Sequence, residues 1–181
     1  MFEIRRAPSF CAIGLCLWSA AVIGRQAASS DTLSDTFRRQ TAPPAALSDA
    51  LRAHVKNEQY YIVTSIRGLP LGVRAALQTL WGSGTLDIAD PGDEFQRGDV
   101  VVNRSLPLRR LVAAGCSPDN HCLVYYERSG KPSAWLVTLF HWTPDATRLE
   151  FAGTAPAGLK TVEDVRKAVL SGAIKGPNSL W

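Results

Sequence analysis

The sequence predicts an α+β fold, with an antiparallel sheet of about four to six strands, two or three packed helices and one disulfide bond. Three observations support this prediction. The chain between Arg109 and Trp142 alternates with the two-residue period of strands and is interrupted by turn residues. Shorter segments on both sides repeat apolar residues at helical spacing. Cys116 and Cys122 lie close together within the alternating block.

The alternating block predicts three consecutive strands. The first covers residues 109–114, with Leu111 and Ala113 on one face, and the second covers 122–127. The third, over 134–142, has apolar residues on both faces and is therefore predicted to be covered on two sides. Shorter strands are predicted over residues 59–66, 85–89, 99–103 and 148–152.

Three helices are predicted outside this block. Ser48 is the expected N-cap of the first. Apolar residues recur at helical spacing over 73–81, and Gly82 follows at a position typical of a helix end. Thr161 is the expected N-cap of the third helix, with Asp164 in the acidic position of a capping box. Together with the strands, these helices complete the predicted layered domain.

Residues 1–28 are predicted to be a signal peptide. Arg5 and Arg6 precede an apolar run over 10–24, which is shorter than the ~20 residues of a membrane span. An uncleaved signal anchor is the alternative. Two cleavage sites fit the small-x-small rule, one ending at Ala21 and the other at Gly24.

The rest of the chain divides into a flexible N-terminal segment, 29–46, and a single domain, 47–181. Removal of residues 1–28 takes away three arginines and one glutamate, leaving 17 basic and 15 acidic side chains. This balance is too even to predict nucleic-acid binding. The expected location is periplasmic or secreted, with membrane attachment only through an uncleaved anchor.

Cys116 and Cys122 are the cysteines that remain once residues 1–28 are removed. Two cysteines a short loop apart in an exported chain most simply form one disulfide. The enclosed residues are small, polar or rigid and form the candidate binding loop: Ser117, Pro118, Asp119, Asn120 and His121. Such a loop suits recognition, because it is already ordered in the free protein and loses little conformational entropy when it binds. The alternative is that the bridge only stabilises a hairpin.

The common catalytic and metal-binding motifs are absent, including HExxH, CxxC, GxSxG and a glycine-rich phosphate loop. His54, His121 and His141 are far apart in sequence, and a single sequence does not show whether they meet in space. The sequence therefore predicts no catalytic residue, no metal site and no cofactor.

The order of strand, cysteine loop, strand, turn, strand, short strand and helix over residues 109–171 resembles the periplasmic inhibitors of vertebrate lysozyme. That family carries a disulfide loop of the form CKPHDC, and the matching stretch here is CSPDNHC. Pro118 again follows the first cysteine by two residues. The resemblance implies that Asp119 and His121 face the catalytic groove of an enzyme. The five-residue loop and the position of His121 beside Cys122 depart from the family pattern.

The expected function is that of an exported, non-enzymatic binding protein that presents the disulfide-closed loop to a protein partner such as a cell-wall hydrolase. Two alternatives remain open. One is a structural envelope protein. The other is a small-ligand binder or enzyme with a pocket between sheet and helices, for which the candidate lining residues are Tyr60, Tyr125, Trp135 and Trp142.

Overall fold

The computed structural model of the chain describes residues 46–98, 101, 103–130 and 132–176. The predicted signal peptide and nearly all of the predicted flexible segment lie outside the described residues. Most of the strand expected over 99–103 lies outside them as well.

A five-stranded antiparallel sheet forms the centre of the fold, with the strands side by side in chain order. They are β1 (Tyr61–Val63), β2 (Arg109–Cys116), β3 (His121–Arg128), β4 (Ala134–Trp142) and β5 (Thr147–Ala155). Three α-helices pack on the sheet: α1 (Asp49–Asn57), α2 (Leu71–Trp81) and α3 (Val162–Leu170). The α+β class, the antiparallel sheet and the three helices are confirmed.

The sheet separates two hydrophobic clusters, because alternate side chains of each strand point to opposite faces. In β3, Val124 and Tyr126 belong to the cluster that α2 covers, whereas Leu123 and Tyr125 belong to the cluster under α1 and α3. β4 contributes to both clusters in the same way, as its two apolar faces predicted. Helices therefore cover both faces of the sheet.

The helix ends lie at the predicted residues. The Ser48 side chain accepts a hydrogen bond from the Leu51 amide at 3.2 Å. Gly82 ends α2 in the left-handed conformation, with φ 61°, which glycine adopts without steric penalty. Thr161 and Asp164 form a complete capping box at the start of α3. Side-chain caps account for the two N-terminal boundaries, and the backbone conformation of glycine accounts for the end of α2.

Two predictions about β2 and the segment before it are wrong. Ala113 lies on the opposite face from Leu111, because the register of β2 against β3 shifts between these residues and inserts Val112 as a bulge. Residues 85–89 do not form a strand. Ala89 makes one isolated bridge, to Arg110 of β2.

The edge strand β1 is shorter than the predicted 59–66. It pairs with β2 only over Tyr61–Val63. Beyond it the chain turns away from the sheet into a 3-10 helix, Ile66–Gly68, whose first amide donates to Asp90 Oδ1 at 2.5 Å. The β-branched composition of this segment therefore extends further than the strand pairing.

Candidate functional site

The predicted disulfide is present and closes the hairpin between β2 and β3. Cys116 and Cys122 face each other across the two strands, with their Cα atoms 4.1 Å apart. Both residues are fully buried on the α2 side of the sheet. The bridge thus fixes the end of the hairpin from which the loop projects.

The loop itself is a tight turn. The Asn120 amide donates to the Ser117 carbonyl at 3.2 Å, and the Ser117 amide donates to the His121 carbonyl at 2.7 Å. Pro118 takes the second position of the turn, which its fixed φ suits. Asn120 has a φ of 68°, the left-handed conformation that asparagine tolerates better than most residues. The Asn120 carbonyl accepts from the Trp142 amide at 2.8 Å, so the loop is also held from β4.

The five candidate binding residues divide into an exposed tip and a buried base. Pro118 and Asp119 are exposed and Asn120 is half-buried. Ser117 and His121 are buried, with only 1% and 5% of their surface exposed. The structure therefore leaves Pro118, Asp119 and part of Asn120 free to contact another molecule.

The base of the loop binds a residue that the sequence analysis did not select, Glu58. Its carboxylate accepts a 2.5 Å hydrogen bond from the Ser117 hydroxyl at Oε2. Nδ1 of His121 lies 2.8 Å from Oε1 and 3.0 Å from Oε2. Nδ1 of His54 lies 2.6 Å from Oε1. The Ser117 hydroxyl also accepts from the His121 amide at 3.1 Å, which closes the network.

Glu58 reaches this position from the end of α1. It is the C-cap residue of that helix, and its amide donates to the His54 carbonyl at 3.0 Å. His54 lies four residues earlier, on the same helix face. Leu51 and Val55 bury that helix against the sheet, which brings its last turn onto the base of the loop.

All three histidines of the chain meet at this point. His121 and His141 are directly paired on β3 and β4, and their ring centroids are 5.2 Å apart. The ring of His54 lies 4.6 Å from that of His121 on the other side. His54 is half-exposed, with 51% of its side chain open to solvent. The cluster therefore extends from the buried carboxylate to the protein surface.

The environment of Glu58 is unusual for a carboxylate. Among the described residues, Glu58 is the only acidic residue that is buried, and it lies at a helix C-terminus, where the helix dipole disfavours negative charge. Its described ion-pair partners are His54 and His121. Burial lowers the pKa of His121, more than the adjacent Glu58 carboxylate raises it.

Of the four aromatic residues considered for a pocket, one lies on the opposite face of the sheet from the other three. Tyr125, Tyr60 and Trp135 pack in the cluster under α1 and α3, whereas Trp142 packs on the α2 side. Burial raises the pKa of Tyr125 to about 12, as expected for a core tyrosine. Two surface depressions, of about 260 Å³ beside α2 and about 530 Å³ beside α3, contain neither the histidines nor Glu58.

The chain was compared with protein-family models, curated proteins and solved structures, and none of the three comparisons found a match. Within the described ranges, no helix has the length and apolar character that crossing a membrane requires.

Proposed function

We propose that this is an exported, non-enzymatic binding protein whose recognition element is the tip of the Cys116–Cys122 loop. The main support is the division of that loop into an exposed tip and a buried, hydrogen-bonded base. Pro118 and Asp119 are exposed and Asn120 is half-buried, while Ser117 and His121 at the two ends of the loop are buried. A tip that is already ordered loses little conformational entropy when it binds a partner.

Three independent constraints hold the tip in one conformation. The disulfide joins the strand ends, backbone hydrogen bonds close the turn, and Glu58 holds both Ser117 and His121 from behind. A disulfide that only stabilised the hairpin would need only the first of these constraints. The additional bonds from α1 and β4 favour a loop whose exact shape matters.

The partner that we propose is a protein with a concave, polar groove, of which a cell-wall hydrolase is the first candidate. The resemblance of CSPDNHC to the loop of lysozyme inhibitors suggests this class of partner. His121 is turned inward to Glu58, so the contact with the partner depends on Pro118 and Asp119. Asp119 provides the charge and Pro118 the rigidity of the tip.

Inhibition assays with purified peptidoglycan hydrolases and lysozymes test this proposal. The wild-type chain should inhibit at least one enzyme, and Asp119→Ala should weaken inhibition by about tenfold or more, the effect of losing one hot-spot interaction of about 1.4 kcal/mol. Asp93→Ala is the matched control, because Asp93 is also exposed but lies in the turn near the opposite end of β2. It should leave inhibition unchanged.

The proposal fails if no enzyme of the panel is inhibited and no envelope protein binds the chain in a manner that depends on Asp119. A structural envelope protein would show that result without any loss of fold. A small-ligand binder or enzyme would instead respond to substitutions between the sheet and the helices, such as Trp135→Ala, and not to Asp119→Ala.

A further inference from the structure

The buried carboxylate of Glu58 lacks a fixed positive charge in the described part of the chain. A buried ionised carboxylate is costly unless it is paired, and the ion-pair partners described for it here are two imidazoles and no lysine or arginine. The C-terminal position on α1 adds to this cost. A bound divalent cation would supply the missing charge.

The atoms around Glu58 are of the type that transition metals prefer. His54, Glu58 and His121 each offer a ligand atom, and these three atoms lie within 4.8 Å of one another. Two histidines and a glutamate form a donor set that tetrahedral zinc uses when it keeps a fourth position open. Because the side chain of His54 is half-exposed, the fourth position can face solvent.

The present distances are those of hydrogen bonds. The two Nδ1 atoms lie 2.6 and 2.8 Å from Oε1 of Glu58, whereas ligand atoms around tetrahedral zinc are about 3.3 Å apart. Metal binding therefore requires Nδ1 of His54 to move about 0.7 Å and Nδ1 of His121 about 0.5 Å away from Oε1. The larger of the two movements is that of His54, whose side chain is half-exposed. Neutral imidazoles bind a metal through Nδ1 when their proton is on Nε2.

We propose that His54, Glu58 and His121 form a site for a divalent transition metal of the zinc type, with water in the fourth position. Ser117 is a positioning residue. Its hydroxyl donates to Oε2 of Glu58 and so leaves Oε1, the oxygen shared by both imidazoles, for the metal. His141 contacts the ring of His121 but lies outside the ligand set.

Zinc titration of the full chain by isothermal calorimetry tests the site. The protein is purified without a polyhistidine tag, treated with a chelator and dialysed, and it carries Cys11→Ser and Cys16→Ser so that those thiols do not bind zinc. We expect one zinc per chain. Co²⁺ should bind with the strong visible absorption of tetrahedral coordination, and Mg²⁺ should not bind, because it prefers oxygen ligands.

Four substitutions assign the ligands. His54→Ala and Glu58→Gln should each weaken zinc binding by more than about 100-fold, because each removes one of three protein ligands, and Ser117→Ala by about tenfold, as for other residues that orient a ligand. His141→Ala is the matched control, since it removes a histidine of the same cluster but not a ligand, and it should retain wild-type affinity. Circular dichroism and thermal unfolding in a chelator establish that each variant is folded.

The proposal is overturned if the folded protein binds no zinc, or if one zinc binds equally well to the wild type, His54→Ala and Glu58→Gln. It is also overturned if His141→Ala loses affinity as His54→Ala does. Asp119→Ala should bind zinc like the wild type, because Asp119 lies outside the set, so failure of the metal site and failure of loop recognition are distinguishable.

Discussion

Nδ1 of His121 lies 2.8 Å from Oε1 of Glu58, although 63 residues separate the two in the chain. This contact joins the C-terminus of α1 to the base of the disulfide loop. Since the Ser117 hydroxyl binds the other oxygen of the same carboxylate, one side chain organises both buried residues of the loop. The proposals for the loop tip and for a metal site both depend on this carboxylate. The loop is held by the bond from Ser117 to Oε2, whereas the metal would bind Oε1.

Glu58→Ala should destabilise the protein even without metal. The substitution removes the acceptor of the buried Ser117 hydroxyl and of the His121 ring, and each unsatisfied buried group costs about 1–3 kcal/mol. Urea unfolding in the presence of a chelator measures the effect.

The matched control for this variant is Glu94→Ala. Glu94 is exposed, so its removal should change the free energy of unfolding by less than about 0.5 kcal/mol. Equal stability of the two variants would show that the network around Glu58 contributes nothing to folding.

Replacing both disulfide cysteines by alanine should lower the free energy of unfolding by about 2–3 kcal/mol. The bridge closes a loop with a sequence separation of 6, and a loop this short restricts the unfolded chain to that extent. Because both cysteines are fully buried, a thiol reductant should cleave the bridge much more slowly in the native protein than in urea. Equal reduction rates in the two conditions would contradict the buried position of the bridge.

The fold could be predicted from the sequence wherever a feature of a strand or helix depends only on the residues within that element. The faces of β3 follow from simple alternation, and the start of α3 follows from the cap at Thr161. Alternation failed at Val112, because a bulge depends on how β2 pairs with β3 and not on the composition of β2. The length of β1 likewise depends on where its pairing with β2 stops.

The candidate site could be predicted only in parts. The turn residues expected between the second and third predicted strands place His121 opposite His141 to within one residue, and the spacing of four residues places His54 beside Glu58 on α1. The step that joins these pairs is the packing of Leu51 and Val55 on the sheet. No local pattern specifies which turn of a helix meets which end of a hairpin, so Glu58 was missed.

Gly153→Ala should destabilise the protein by about 1–3 kcal/mol, the usual range for overpacking in a filled core. A Cβ at this position would lie 2.3 Å from the carbonyl oxygen of Lys175 and 2.6 Å from Cγ2 of Ile174. The Lys175 carbonyl accepts a hydrogen bond from Thr154 at 2.9 Å, so relieving the clash disrupts that bridge. Gly84→Ala is the control, since its Cβ would meet nothing within 4 Å. Thermal unfolding should separate the two variants, and an equal melting temperature would contradict the close approach.

The capping box of α3 should make part of the stability dependent on acid pH. Hydrogen bonding to the Thr161 side chain, and then to the amides of Lys160 and Thr161, lowers the pKa of Asp164 below its value in the unfolded chain. A lowered carboxyl pKa stabilises the fold above the unfolded pKa of about 3.9, and this contribution is lost as the pH falls through the folded pKa. The stability difference between the wild type and Asp164→Asn should therefore be largest near neutral pH and shrink below about pH 4. Urea unfolding of both proteins across this range measures it, and a difference that stayed constant with pH would exclude an ionised Asp164 in the cap.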